Sequence, residues 1–176
     1  MAGKHVFVLG AGLLSGLCAG AGASGSTAGI PLAPGVDLAR YTGKWYEIAR
    51  FPHRFEKNLS HVTATYSLRD DGKILVLNEG RKKNGKHTSV EGKAYVPDPA
   101  RPGLLKVSFF LFFYSDYRII LLDDDYRWAV VTGKKRDYLW ILSRSPKMEP
   151  SLYDRLEAFV KEKGFDTGLL RQVPQD

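Results

Sequence analysis

Eight short stretches with strand character follow one another along this chain, and no helical stretch separates them. The clearest lies at 61–69, where apolar and polar residues alternate with the period of two that is typical of a half-buried strand. Asp71-Gly72 and Asn84-Gly85 are dipeptides that favour the tight turns of β-hairpins. Hairpins in succession predict an all-β protein with antiparallel strands, which limits the chain to a few closed or layered architectures.

The predicted strands lie at 44–51, 61–69, 73–83, 86–96, 104–110, 116–123, 127–133 and 138–144. Eight antiparallel strands in this order predict an eight-stranded up-and-down barrel, because closing the sheet removes its exposed edges. A barrel of eight strands encloses enough space for one small ligand. A two-sheet sandwich around a filled core is the alternative.

The pattern changes after Pro146. Apolar residues recur at helical spacing within 151–163, and Gly164 follows as a typical C-terminal stop. Charged residues occupy the other faces, so we predict an amphipathic C-terminal α-helix that packs on one side. The last predicted strand is apolar on both faces, and the helix is expected to cover its outer face.

Residues 1–28 have the composition of an export signal: Lys4, an apolar run and then small residues. Two processing routes are open, ordinary cleavage near Ala23 or lipidation of Cys18, which is the single cysteine. The apolar run is too short to span a bilayer comfortably. We predict an exported protein with a leader at 1–28, a flexible tether at 29–36 and one domain at 37–176.

The chain carries a formal net charge of +7, which favours anionic partners such as lipid headgroups, nucleic acid or acidic small molecules. The basic residues are scattered along the sequence. The two short basic clusters, 81–83 and 134–136, are interpreted as solvated hairpin ends. We therefore predict no nucleic-acid partner.

Alternation along each strand of a barrel decides which side chains point inward. We assume that Trp45 points inward on the first strand, and we choose one inward face for each of the other strands. The predicted ligand-binding lining is then Glu47, Ala49, Ala64, Tyr66, Val76, Asn78, Val107, Phe109, Arg118, Ile120, Ala129, Val131, Tyr138 and Trp140. This lining is mostly aromatic and aliphatic, which suits an elongated apolar ligand with its polar head near the mouth. The alternative is that the same side chains fill the barrel and nothing binds.

Five segments of the sequence resemble the lipocalins, most closely the bacterial lipocalins related to apolipoprotein D: YTGKWYEIARFPHRFE, HVTATYSLRDDGKI, EGKAYVPD, LKVSFF and DYLWILSRSP. The resemblance extends from about Asp37 to the C-terminal helix. It implies a calyx that binds fatty acids, lysophospholipids or similar hydrophobic molecules. For bacterial members it also implies an outer-membrane anchor, facing the periplasm, through a lipidated N-terminal cysteine.

The same resemblance assigns structural roles to four residues. Gly43 and Trp45 correspond to the glycine-x-tryptophan motif at the base of the first strand. Arg144 corresponds to the arginine that stacks on this tryptophan, a favourable cation–π contact. Asp124 falls in the third family motif, which is degenerate in this chain as Asp-Asp-Asp-Tyr at 123–126.

These observations favour non-enzymatic binding, storage or transport of hydrophobic lipids in the periplasm or at the outer membrane. The chain has no glycine-x-serine-x-glycine elbow and no histidine pair at ligand spacing. We therefore predict no catalysis, no cofactor and no metal. An envelope-maintenance role with lipid as a passenger is the first alternative, and an enzyme acting on hydrophobic substrates is the second.

Residues 109–114 comprise five aromatic residues and one leucine. Exposed, such a run favours contact with a membrane; folded over one end of the barrel, it is ordinary core. Membrane association is the predicted outcome. The sequence leaves a homodimer open.

Overall fold

Strands that follow one another along the chain are neighbours in one antiparallel sheet. The computed structural model describes residues 25–53 and 58–176. In that part of the chain the barrel strands are β1 (Gly43–Arg50), β2 (Leu59–Leu68), β3 (Ile74–Lys82), β4 (His87–Tyr95), β5 (Leu104–Phe110), β6 (Phe113–Leu122), β7 (Trp128–Thr132) and β8 (Leu139–Ser143). Each strand pairs with its neighbours, and β1 pairs with both β2 and β8. The sheet is therefore closed, and the predicted eight-stranded up-and-down barrel is confirmed.

The strand ends differ from the prediction mainly at the hairpin between β5 and β6. β6 begins at Phe113, three residues before its predicted start, so the turn contains only Leu111 and Phe112. Leu111 has a φ of 49°, a left-handed conformation that a tight turn requires and that leucine rarely adopts. The turn thus projects its apolar side chains beyond the end of the barrel.

The C-terminal helix α2 (Pro150–Glu162) packs on the outside of the barrel, as predicted. Its buried residues Leu156 and Val160 join a cluster with Val130 and Ile141 on the outer faces of β7 and β8. The helix ends at Gly164, whose φ of 82° is readily available only to glycine. The apolar outer face of β8 is covered in this way.

Residues 25–36, which we name the N-terminal strap, lie along the outer wall of the barrel. Ile30, Ala33 and Val36 are buried, and the backbone N–H of Ala33 donates to the carbonyl of Ile119 on β6 (2.9 Å). The structure therefore corrects the expectation of a flexible tether at 29–36, because apolar contacts and backbone hydrogen bonds fix the segment to the wall. Cys18, the predicted cleavage position and most of the predicted export signal lie in residues 1–24, outside the described residues.

Trp45 closes one end of the barrel. Its side chain is fully buried, and its indole N–H donates to the carbonyl of Tyr41 (2.9 Å), the last residue of the short helix α1 (Leu38–Tyr41). The guanidinium carbon of Arg144 lies 3.9 Å from the centroid of the indole ring. Helix α1 and the tryptophan together form the floor.

The stacking of Arg144 on Trp45 requires a glycine at position 43. Its φ is +94°, and a Cβ at this position would lie 3.1 Å from Nη1 of Arg144. A side chain would therefore meet both backbone strain and a crowded guanidinium. In the acidic turn nearby, Asp124 contributes its carbonyl, which accepts a hydrogen bond from Nη2 of Arg40 (2.9 Å).

The C-terminal tail fills a gap between β1 and β2 beyond the point where their pairing ends. The short strand β9 (Arg171–Gln172), which follows a 3-10 turn at Thr167–Leu169, pairs with the end of β1. The side-chain amide of Gln175 donates to the carbonyls of Glu47 (2.8 Å) and Val62 (2.9 Å). One side chain therefore bridges the two barrel strands.

We expect Trp45→Ala to lower the free energy of unfolding by about 3–5 kcal/mol, the usual effect of truncating a buried aromatic side chain. Urea denaturation followed by circular dichroism measures this loss. Trp128→Ala serves as the control, because Trp128 is only half-buried on the outer face and should lose less. A Trp45→Ala protein with unchanged stability but lost ligand affinity would contradict the structural role of Trp45.

Candidate ligand-binding cavity

The barrel encloses a cavity of about 520 Å³ whose wall reaches the turn between β7 and β8. That turn lies at the end opposite Trp45, because β7 runs away from the floor and β8 returns to it. The volume lies within the range of about 300–1,000 Å³ that ligand pockets occupy. The barrel is thus closed at one end and open at the other.

Most of the predicted lining residues contribute to this cavity wall. They are Glu47, Ala64, Tyr66, Val76, Asn78, Val107, Phe109, Tyr138 and Trp140. Ala129 and Val131 also belong to the interior apolar cluster, but they do not line the open space. Contact of any of these residues with a ligand stays a prediction.

Ala49 does not face the interior, and its predicted orientation is wrong. The pairing of β1 with β8 shifts register between Glu47 and Ala49, which is the mark of a β-bulge. An extra residue in a strand reverses the alternation beyond it. Ala49 therefore packs in the outer cluster with Ile48 and the helix residue Leu156, while Glu47 still lines the cavity.

Arg118 and Ile120 also face outward, contrary to the prediction. On β6 it is Tyr117 and Ile119 that belong to the interior cluster, whereas Ile120 packs with the outer one. Arg118 donates from Nη2 to the carbonyl of Ile30 in the N-terminal strap (3.1 Å). The strap and α2 cover this wall, so β6 is buried on both faces at 118–120, and its sequence gives no clear alternation.

Three tyrosines form a hydrogen-bonded cluster near the floor. The hydroxyl oxygens of Tyr41 and Tyr117 are 2.7 Å apart, and Tyr66 donates to the hydroxyl of Tyr117 (2.9 Å). Burial, reinforced by the neighbouring phenols, raises the pKa of Tyr41 and of Tyr117 well above 10. Tyr41 and Tyr117 are therefore neutral, and the cluster presents Tyr66 and Tyr117 to the cavity.

Two further polar side chains lie in the wall. The side-chain oxygen of Asn78 is buried and has no hydrogen-bond partner among the described residues, so it is available to a ligand donor. Glu47 differs, because its carboxylate accepts a hydrogen bond from Nη1 of Arg50 in a buried ion pair. The carboxylate is thus already compensated by a cation.

The mouth combines aromatic rings with charge. Lys134 and Lys135 border it and are exposed. The ring of His53 lies 5.6 Å from that of Tyr138 and 5.4 Å from that of Trp140, measured between centroids. The sequence gives no signal for this packing of His53, because nothing in the local pattern relates its loop to β8.

A closed floor, an apolar interior and one open end define a barrel that holds small hydrophobic molecules. The chain belongs to the lipocalin family, since the lipocalin-like domain model matches residues 36–175. Members of this family bind or transport hydrophobic ligands and are generally not enzymes.

Individual relatives agree with this assignment. The chain is 47% identical to the outer membrane lipoprotein Blc of Escherichia coli strain K12 over 84% of each sequence. It is 31% identical to apolipoprotein D of Macaca fascicularis, over 83% of this chain and 80% of that one. Among solved structures, lobster apocrustacyanin A1 superposes with a TM-score of 0.65 at 22% identity, over 78% of this chain and 79% of that one. The last comparison shows the shared fold alone.

The tyrosine cluster makes stability sensitive to alkali. In the unfolded chain these phenols ionise near pH 10, while the raised pKa values keep Tyr41 and Tyr117 protonated in the folded state. Their contribution is therefore complete below about pH 10 and is lost as pH rises further. We expect each group to steepen the fall by about 1.4 kcal/mol per pH unit.

Denaturation series from neutral pH to above pH 10 measure this slope. Tyr117→Phe removes one of the two titrating groups, so its stability should fall less steeply than that of the wild type above about pH 10. Between pH 7 and pH 9 the two curves should run parallel, which serves as the control. Equal slopes in the alkaline range would show that the cluster does not govern the dependence.

Proposed function

We propose that this protein is a non-enzymatic carrier of single-chain lipids, namely fatty acids or lysophospholipids. The observation that carries the proposal is the cavity of about 520 Å³ with aromatic and aliphatic walls. An acyl chain gains the hydrophobic free energy of transfer from water into such a space, about 0.8 kcal/mol for each buried methylene. One chain of this kind suits a single elongated cavity.

The wall also suggests how the lipid is oriented. The acyl chain lies among Val76, Val107 and Leu142, which contribute apolar surface to the cavity. The head remains at the mouth, where Lys134 and Lys135 attract an anionic carboxylate or phosphate.

The lining offers little for catalysis. Glu47 is bonded to Arg50, and no histidine or cysteine is found among the described residues that line the cavity. A hydroxyl such as that of Ser115 therefore lacks the imidazole base that activates a nucleophile. These features support binding without turnover.

The cell envelope is the proposed location. The Blc relatives carry the name of outer membrane lipoprotein, and the composition of residues 1–28 fits export. A lipid anchor at Cys18 would hold the barrel at the membrane surface. Mass spectrometry of the native protein reports acylation at Cys18 and any co-purifying lipid in one measurement.

Blocking the cavity tests the carrier function. We expect the wild type to bind about one palmitate or lysophospholipid per chain, with quenching of Trp140 fluorescence. Ala64→Phe places a ring in the cavity, so palmitate affinity should fall at least about tenfold, while octanoate should be less affected. Calorimetric titration measures both affinities.

Thr65→Phe is the matched control, because the neighbouring residue adds the same ring to the outer face of β2, away from the cavity. Its affinity for palmitate should equal that of the wild type. Thermal unfolding of both variants shows whether they remain folded. Equal palmitate binding by Ala64→Phe and Thr65→Phe would place the lipid elsewhere.

We further propose that the open end docks on anionic membranes. Phe110–Phe113, which we name the aromatic tip, are exposed, and Phe112 is the most exposed of them at 84%. The hairpin turns at 83–86 and 133–138 lie at the same end of the barrel, and they carry several lysines. Apolar residues surrounded by cations favour insertion into an anionic bilayer surface. In the described part of the chain, no helix has the length and apolarity needed to span a membrane.

Vesicle co-sedimentation tests the docking. The double change Phe112→Ser and Phe113→Ser should weaken binding to anionic vesicles about tenfold or more, because two exposed aromatic rings no longer enter the bilayer. Leu68→Ser is the control, since Leu68 is 49% exposed at the floor end and should bind as the wild type does. Equal loss in both variants would argue against docking through the open end.

A further inference from the structure

A second pocket, of about 390 Å³, lies on the outer wall of the barrel beneath the N-terminal strap. Residues 28–35 of the strap, the turn at 100–103 and Arg118 border it. It shares no lining residue with the lipid cavity. The wall of β6 separates the two spaces, because Tyr117 faces inward and Arg118 faces outward.

Arg118 is the polar side chain at the centre of this pocket. Only 5% of its surface is exposed. Its Nη2 donates to the carbonyl of Ile30, but its Nε is buried and has no hydrogen-bond partner among the described atoms. A buried donor on a charged group without an acceptor is costly, so a group that supplies an acceptor there would be favoured.

The charges around Arg118 leave a positive surplus. Arg101, exposed at the pocket's edge, is close enough for its charge to lower the pKa of Arg118, which burial already lowers. Asp116 acts in the opposite direction. Its carboxylate, however, accepts a hydrogen bond from Nζ of Lys106 (2.5 Å). Two arginines therefore face one pocket while the nearby carboxylate is already paired with a lysine.

We propose that this pocket is a binding site for a small oxyanion, a phosphate or carboxylate group, that accepts a hydrogen bond from Nε of Arg118 and balances the charge of Arg101. A guanidinium matches the geometry of such groups and bonds them more strongly than a neutral donor does. The strap forms one wall, so a bound anion joins it to the barrel and stabilises the folded state by mass action. The site is independent of the lipid cavity.

Titration with inorganic phosphate and with acetate, each against sodium chloride at the same ionic strength, tests the proposal. We expect the Tm to rise saturably with phosphate or acetate and not with chloride. In nitrogen-15-labelled protein, the Nε–H signal of Arg118 should shift along the same saturation curve. Comparison of the phosphate and acetate titrations shows which of the two oxyanions binds more tightly.

Variants locate the site. Arg118→Met should abolish the response to the anion, and Arg101→Gln should weaken it about two- to fivefold, as expected for the loss of one partly solvated charge. Arg69→Gln is the control, because Arg69 is an exposed arginine in the hairpin between β2 and β3 and should respond as the wild type does.

The proposal is overturned if phosphate and acetate act no differently from chloride. It is also overturned if Arg118→Met keeps the response. Should Arg118→Met fail to fold, the Nε–H signal in the wild-type protein decides: a signal that does not move during the titrations rejects the site. Lipid binding by the cavity is unaffected by either result.

Discussion

The contact between Arg144 and Trp45 holds together the parts of the chain that form the floor. The guanidinium covers the indole ring and donates to the backbone carbonyls of Arg40, Tyr41, Thr42, Lys44 and Tyr126. These carbonyls belong to helix α1, the start of β1 and the turn before β7. A single planar cation with five donors can satisfy so many acceptors, whereas a lysine ammonium cannot. The cavity above has a closed end because this contact exists.

The barrel wall is unequal around its circumference. β6, β7 and β8 are covered on the outside by α2 and the strap, and they are buried on both faces. β4 has an exposed outer face along nearly its whole length. Interior side chains on the covered side are therefore held between two packed layers, while those on the β3–β4 side are supported by one layer. If the cavity adjusts to ligands of different width, we expect β3 and β4 to move, because only one layer supports their interior side chains.

This difference in outer cover between the strands also explains which parts of the site could be predicted from the sequence. β2 alternates clearly because water lies on one side, and the predicted residues Ala64 and Tyr66 do line the cavity, as do Val76 and Asn78 of the neighbouring β3. β6 is buried on both faces at 118–120, so alternation could not choose between Tyr117 and Arg118. The bulge in β1 that turns Ala49 outward depends on pairing with a distant strand. Local patterns thus predict the fold, and they predict which side chains face the cavity where one face of a strand is exposed to water. They do not predict this where both faces of a strand are buried.

The position of the C-terminal tail has a consequence for the order of folding. Arg144 is 100 residues from Lys44, and Gln175 is 128 residues from Glu47, so the contacts that join β1 to the end of β8 and to the C-terminal tail connect distant parts of the chain. Local hairpins such as β2–β3 form without any long loop closure, whereas joining β1 to β8 and β9 carries the entropic penalty of ordering nearly the whole chain. A growing polypeptide therefore has no closed barrel before β8 has been made and has paired with β1. The cavity can enclose a lipid only after this long-range pairing has formed.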